Sequence, residues 1–102
     1  MIRYTTPTVT LTVEGVDLTA QEVYVTFQQR NRTLTVQSPS MELSGEDTVI
    51  TVPLTQVQTG GMSEGTASVQ VNWLDGQGHR DATTIGTVEV GRNLLAEVVE
   101  DA

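Results

Sequence analysis

The chain has 102 residues and a formal net charge of −8, with five Arg and no Lys against thirteen Asp and Glu, a size that holds one compact domain around one core. That charge balance repels phosphate backbones and anionic lipid, so neither nucleic acid nor membrane is an expected partner. With no Cys and one His, disulfides, thiolate chemistry and Cys-ligated zinc are excluded, and acid–base chemistry near neutrality has few carriers.

Thr (17), Val (15) and Ile (3) make 35 of the 102 residues β-branched, which favours strands over helices. Thr8 to Val13 alternates strictly, placing Val9, Leu11 and Val13 on one face and three threonines on the other, the pattern of a half-buried strand. After a turn at Glu14 to Asp17, Val23, Val25 and Phe27 alternate with Tyr24, Thr26 and Gln28 in a second strand. The polar stretch Gln29 to Arg32 suits a hairpin tip, and Thr33 to Gln37 returns with Leu34 and Val36 inward. Ser38-Pro39-Ser40 ends that run.

Met41 to Leu43 reads as a short edge strand before the acidic turn Ser44 to Asp47. Thr48 to Leu54 then puts Ile50, Val52 and Leu54 on one side, with Pro53 turning its missing N–H toward an edge or strand end. Leu54 to Thr59 lose the alternation and precede Gly60-Gly61, so one turn of helix near residues 54–60 or a loose crossover is expected there. Ala67, Val69, Val71 and Trp73 alternate with Ser68, Gln70 and Asn72 in the clearest core strand, where Trp73 is expected to anchor the core. Asp75 to Gly78 closes it as a turn. In the last strand Ala82, Thr84, Val88 and Val90 share one parity and Ile85 the other; a β-bulge near Gly86 would bring both sets to the core.

Six or seven short strands with turns every 8 to 12 residues predict an all-β, immunoglobulin-like antiparallel β-sandwich over residues 1–91, with a closed barrel as the alternative. Residues 92–102 form an apolar C-terminal tail. Its Leu94 and Val98, and Leu95 and Val99, stand four apart, as in a helical turn or two, although an extended arm is also compatible. These four residues need a cover, either their own domain or a neighbouring copy, and are the candidate interaction site.

The amino end, MIRYTTPTVTLTV, has no basic stretch followed by an apolar block, so it does not read as a secretory signal. No apolar run approaches the roughly 20 residues that span a bilayer. The product is expected to stay in the cytosol, where the glycosylation pattern at Asn31-Arg32-Thr33 has no consequence.

The chemical constellations are thin. A catalytic triad would need His79 with Asp75 or Asp81 and a serine, yet no serine lies in a nucleophile-elbow sequence. Glu14, Asp17, Glu46, Asp47 and Asp75 sit in turns, which suits surface solubility better than paired glycosidase carboxylates. Calcium would require the Glu14 to Asp17 and Glu46-Asp47 turns to converge, without an EF-hand pattern to guide them. Gly76-Gln77-Gly78 lacks the third glycine and following helix of a phosphate cradle. Arg3, Arg30, Arg32 and Arg80 are scattered among acidic residues. No cofactor, metal or catalytic activity is expected.

Four segments carry a family resemblance: VDLTAQEVYVTFQQ (Val16 to Gln29), ITVPLTQVQTG (Ile50 to Gly60), GTASVQVNWLDGQGHRDAT (Gly65 to Thr83) and VEVGRNLL (Val88 to Leu95). Together they resemble small phage and prophage structural proteins of Gram-positive bacteria, similar to the amino-terminal domain of baseplate upper proteins. The resemblance implies a non-catalytic virion component of the tail or baseplate region. It would be made in the host cytoplasm and would contact other virion proteins or copies of itself. The resemblance does not extend to the longer fibre or receptor-binding segment of baseplate upper proteins, so it implies no particular place in the particle. A carbohydrate-binding or adhesion module is the rival reading; it would present aromatic faces, and only Tyr4, Tyr24, Phe27 and Trp73 are available.

Overall fold

The computed structural model describes residues 1–30 and 32–99; Asn31 of the glycosylation pattern and residues 100–102 of the tail lie outside them. Along the chain run β1 (Thr8–Val13), β2 (Glu22–Gln29), β3 (Arg32–Gln37), β4 (Ser40–Ser44), β5 (Asp47–Pro53), α1 (Gln56–Gly60), β6 (Gly65–Leu74), β7 (Arg80–Ala82) and β8 (Gly86–Val90). One sheet has the order β1-β5-β4; the other has the order β3-β2-β6, with β7 and β8 both paired to the far side of β6. The chain changes sheet after β1, β3 and β5. This is the strand order of an immunoglobulin-type sandwich.

The alternation seen in the sequence becomes the core. Val23, Val25 and Phe27 of β2, Ala67, Val69 and Val71 of β6, and Ile50 and Val52 of β5 are buried, while the threonines and glutamines between them line the outer faces. The centre belongs to Phe27, 1% exposed, rather than to Trp73. Phe27 lies mid-strand between Leu34 and Val69, whereas Trp73 pairs with Val23 and Asp81 near the end of β6 and is only half-buried.

Two buried threonines fasten loops to this core. The Thr48 hydroxyl donates to the Val16 carbonyl (2.7 Å) and accepts from the Leu18 N–H (2.9 Å), which holds Leu18 in the core. The Thr59 hydroxyl donates to the Thr5 carbonyl (2.8 Å) and accepts from its N–H (3.1 Å). Each satisfies backbone groups that would otherwise be buried without partners.

The strand count exceeds the expected six or seven because the last strand is divided. Partner numbers sum to 154 between β6 and β7 (Asn72 with Ala82) and to 155 between β6 and β8 (Val69 with Gly86), so one extra residue is accommodated between them, as in a bulge. The break is held by Thr83, whose N–H and hydroxyl bond the carbonyl and N–H of Val71, and whose carbonyl accepts from the Gln70 amide. Val90 is buried and Val88 packs on the core, but Ile85 does not reach it; it stays 65% exposed beside Gln28 and Ser68 on the outer face.

The crossover contains α1, one helical turn closed by a capping box. The Thr55 hydroxyl accepts from the Gln58 N–H and the Gln58 side chain accepts from the Thr55 N–H. Pro53 closes β5 beyond the last pairing to β4, Ser40 with Thr51, so its missing N–H deprives no neighbour. Residues 92–99 form no helix, in keeping with the instability of so short a helix without packing.

Candidate interaction surface

The tail folds back on its own domain through its backbone while leaving its apolar side chains in solvent. Asn93 donates to the Arg3 carbonyl (2.9 Å) and accepts from the Leu95 N–H (3.0 Å). At the far end the Gln56 side chain of α1 both donates to and accepts from the Val99 backbone. Between these anchors Leu94 is 89% exposed, Leu95 53%, Val98 48% and Val99 49%.

The same end of the sandwich gathers the N-terminal segment and α1. Ile2 bridges in parallel to Gly91, Arg3 donates from its guanidinium to the Gly60 carbonyl (2.7 Å) and lies 5.2 Å from the centre of the Tyr4 ring. Tyr4 packs so closely on α1 that a Cβ at Gly60 would stand 2.5 Å from its Cε1. Ile2 and Val57, both exposed, flank the two ends of the tail. Exposed apolar side chains therefore occur on the N-terminal segment, along the tail and on α1, the three segments that these bonds join, and such a concentration suits a contact surface. The helical turn expected in this region is α1, whose Thr55-x-x-Gln58 spacing is its capping signal, whereas no pattern in the sequence marks the attachment of residues 1–5 or of Gln56 to the tail.

A concavity of about 320 Å³ lies on the outer face of the five-stranded sheet, lined by Tyr24, Thr26, Thr35, Asn72, Trp73, Leu74 and Arg80. Arg80 is tied to the Asn72 side-chain oxygen from Nη2 at 3.1 Å. Of the aromatic residues, Phe27 is in the core, while half-buried Trp73 packs against the core and also lines this groove beside Tyr24.

The candidate chemical groups meet only in part. His79 Nδ1 lies 3.1 Å from Asp75 Oδ2 in an exposed turn, Asp81 accepts from the Ala82 N–H, and no serine hydroxyl bonds His79 among the described residues. The backbone N–H of His79, then that of Gln77, holds the Asp75 carboxyl below its ordinary range. The acidic turns do meet, because Asp47 accepts from the Gly15 N–H (2.9 Å). Asp17, however, is engaged by the Thr19 hydroxyl and N–H, which lower its pKa. No three His, Asp or Glu side chains gather as a metal site among the described residues, and no helix among them is long and apolar enough to cross a membrane.

Compared with known protein families and with curated proteins, the sequence matches none.

Proposed function

We propose that this protein is a non-catalytic assembly component of a phage or prophage virion, in its tail or baseplate region. It would be made in the bacterial host cytoplasm and act by contact with other virion proteins and with copies of itself. The observation that carries this reading is the exposed run Leu94, Leu95, Val98 and Val99, held in place by Asn93 and Gln56 with its side chains directed outward. An isolated domain gains nothing from leaving such residues in water; a partner that covers them gains roughly 25 cal/mol per Å² of apolar area removed from solvent. The sandwich supplies a mount for that patch, and the chain as a whole is net acidic, which disfavours indiscriminate association, although Leu43 and Ile85 are also exposed away from the tail.

The test is the protein composition of particles purified from a host that carries this chain with its neighbouring genes. The chain is expected to co-purify with the particles at a fixed ratio to their structural proteins, and L94S/L95S is expected to lower its incorporation while the circular dichroism of the free chain keeps its β signal. Recovery of the chain only in the soluble fraction would overturn the reading. The carbohydrate-binding alternative would use the outer-face groove at Tyr24; saturable, sugar-dependent quenching of fluorescence that Y24A abolishes would favour it instead.

A further inference from the structure

The open edges of the two sheets are β1 and β4 in one, β3 and the β7 to β8 row in the other. Glu42 stands in β4, Arg32 in β3, Arg80 and Asp81 in β7 and Glu89 in β8. Such charges hinder edge strands from pairing with a second chain. β1 has none. Its six residues, TVTLTV, contain no charge, Pro or Gly and pair with β5 in unbroken register, the composition of a segment that readily accepts another strand.

The direction of its free hydrogen-bonding groups follows from the register. The Leu54 N–H donates to the Pro7 carbonyl, and the ladder continues through Val9 with Val52, Leu11 with Ile50 and Val13 with Thr48. Antiparallel pairs alternate, so Val9, Leu11 and Val13 spend their backbone groups on β5, while Thr8, Thr10 and Thr12 turn both N–H and C=O outward. Beside this edge the sandwich is open, with a cavity of about 230 Å³ reaching Leu11, Val13, Val69, Val71 and Thr84. In the four-stranded sheet of an immunoglobulin constant-type domain a first strand occupies this position. Here the N-terminal segment bridges Ile2 to Gly91 instead.

We propose that the β1 edge docks β1 of a second copy of this chain, antiparallel about a two-fold axis, to give one continuous sheet in the order β4-β5-β1-β1-β5-β4. This rests on the assembly reading and names one of its partners. A second copy fits because the segment is complementary to itself. With the axis at Thr10, Thr8 faces Thr12, Thr10 faces its own counterpart, and all exchange the outward backbone bonds. Val9 then faces Leu11 on the core side. A slip of one residue would turn the incoming valines to solvent, so the pattern also specifies register. Two chains that each carry −8 meet most easily where neither presents a charge.

The experiment is sedimentation velocity of the full chain over a dilution series, with amide exchange measured at both ends of the series. A dimer is expected, and the Thr8, Thr10 and Thr12 N–H groups should slow by at least about tenfold as it forms, while those of Val9, Leu11 and Val13 do not change. T10K and T10E should each be monomeric with unchanged circular dichroism, and their equimolar mixture should regain the dimer. A wild-type chain that remains monomeric at high micromolar concentration overturns the proposal. So does a dimer that T10K leaves intact. If such a dimer is lost in L94S/L95S instead, the tail is the contact, and the assembly reading survives without the edge. Incorporation into particles is measured separately and decides that reading on its own.

Discussion

The side-chain amide of Gln56 pairs with the backbone of Val99 in both directions, Nε2 donating to the carbonyl and Oε1 accepting from the N–H, each at 2.7 Å. One side chain thereby supplies the bonds that a neighbouring strand would otherwise make, and it fixes the far end of the tail 43 residues downstream. Q56A should release that end. These exposed bonds contribute about 0.5–1.5 kcal/mol each at most, so the expected result is faster amide exchange at Val99 with little change in the melting temperature. Unchanged exchange at Val99 would show that the tail is held by something else.

Thr48 carries more weight because its partners are deep in the domain. T48V keeps the shape but leaves the Leu18 N–H and the Val16 carbonyl without their partner, a loss of about 1–3 kcal/mol in urea unfolding. T48S retains the hydroxyl and should lose less than T48V. The reverse order would mean that the methyl group, rather than the hydroxyl, secures the site.

Gly60 is needed because Tyr4 occupies the space of a side chain. Tyr4 holds a positive φ of 60°, which restricts its freedom to move aside. G60A is expected to cost about 1–3 kcal/mol, and Y4A should remove most of that penalty when the two are combined. Equal costs for G60A in both backgrounds would separate the two residues.

At Asp75 the bonds donated by His79 and Gln77 favour the carboxylate. Its pKa is lower folded than unfolded, so this contribution to the turn is complete above the unfolded value and disappears as pH falls through the folded one. Carboxyl NMR should show Asp75 titrating below ordinary aspartate, with the His79 and Gln77 amide shifts moving in step. Titration at or above the ordinary value would contradict the turn geometry.

The strands were legible wherever one face is buried and the other is wet. Val23, Val25 and Phe27, and Ala67, Val69 and Val71, alternate because their sheet has a core on one side only. Where polar anchoring replaces periodicity, the pattern misleads: Thr83 breaks the last strand through bonds to Val71 and Gln70, and Ile85 is consequently outside. Trp73 shows that size does not fix depth, since its place near the end of β6 decides its exposure. The apolar character of the tail could be read directly, but its attachment could not, because Gln56 and Val99 are distant in sequence and Gln56 resembles any exposed polar residue. The neutrality of β1 is likewise visible in its letters, whereas the outward direction of its threonine backbone groups emerges only from the pairing with β5.

The claim that the tail is a contact surface for particle proteins is tested most directly by photo-crosslinking. A photoreactive residue in place of Leu94, 89% exposed in the free domain, would be activated in particles purified from the host. The account predicts adducts between this chain and a structural protein of the particle, or another copy of itself, that disappear when the same residue replaces outer-face Thr66. Irradiated particles that yield no adduct from position 94, although the chain is present in them, would contradict it.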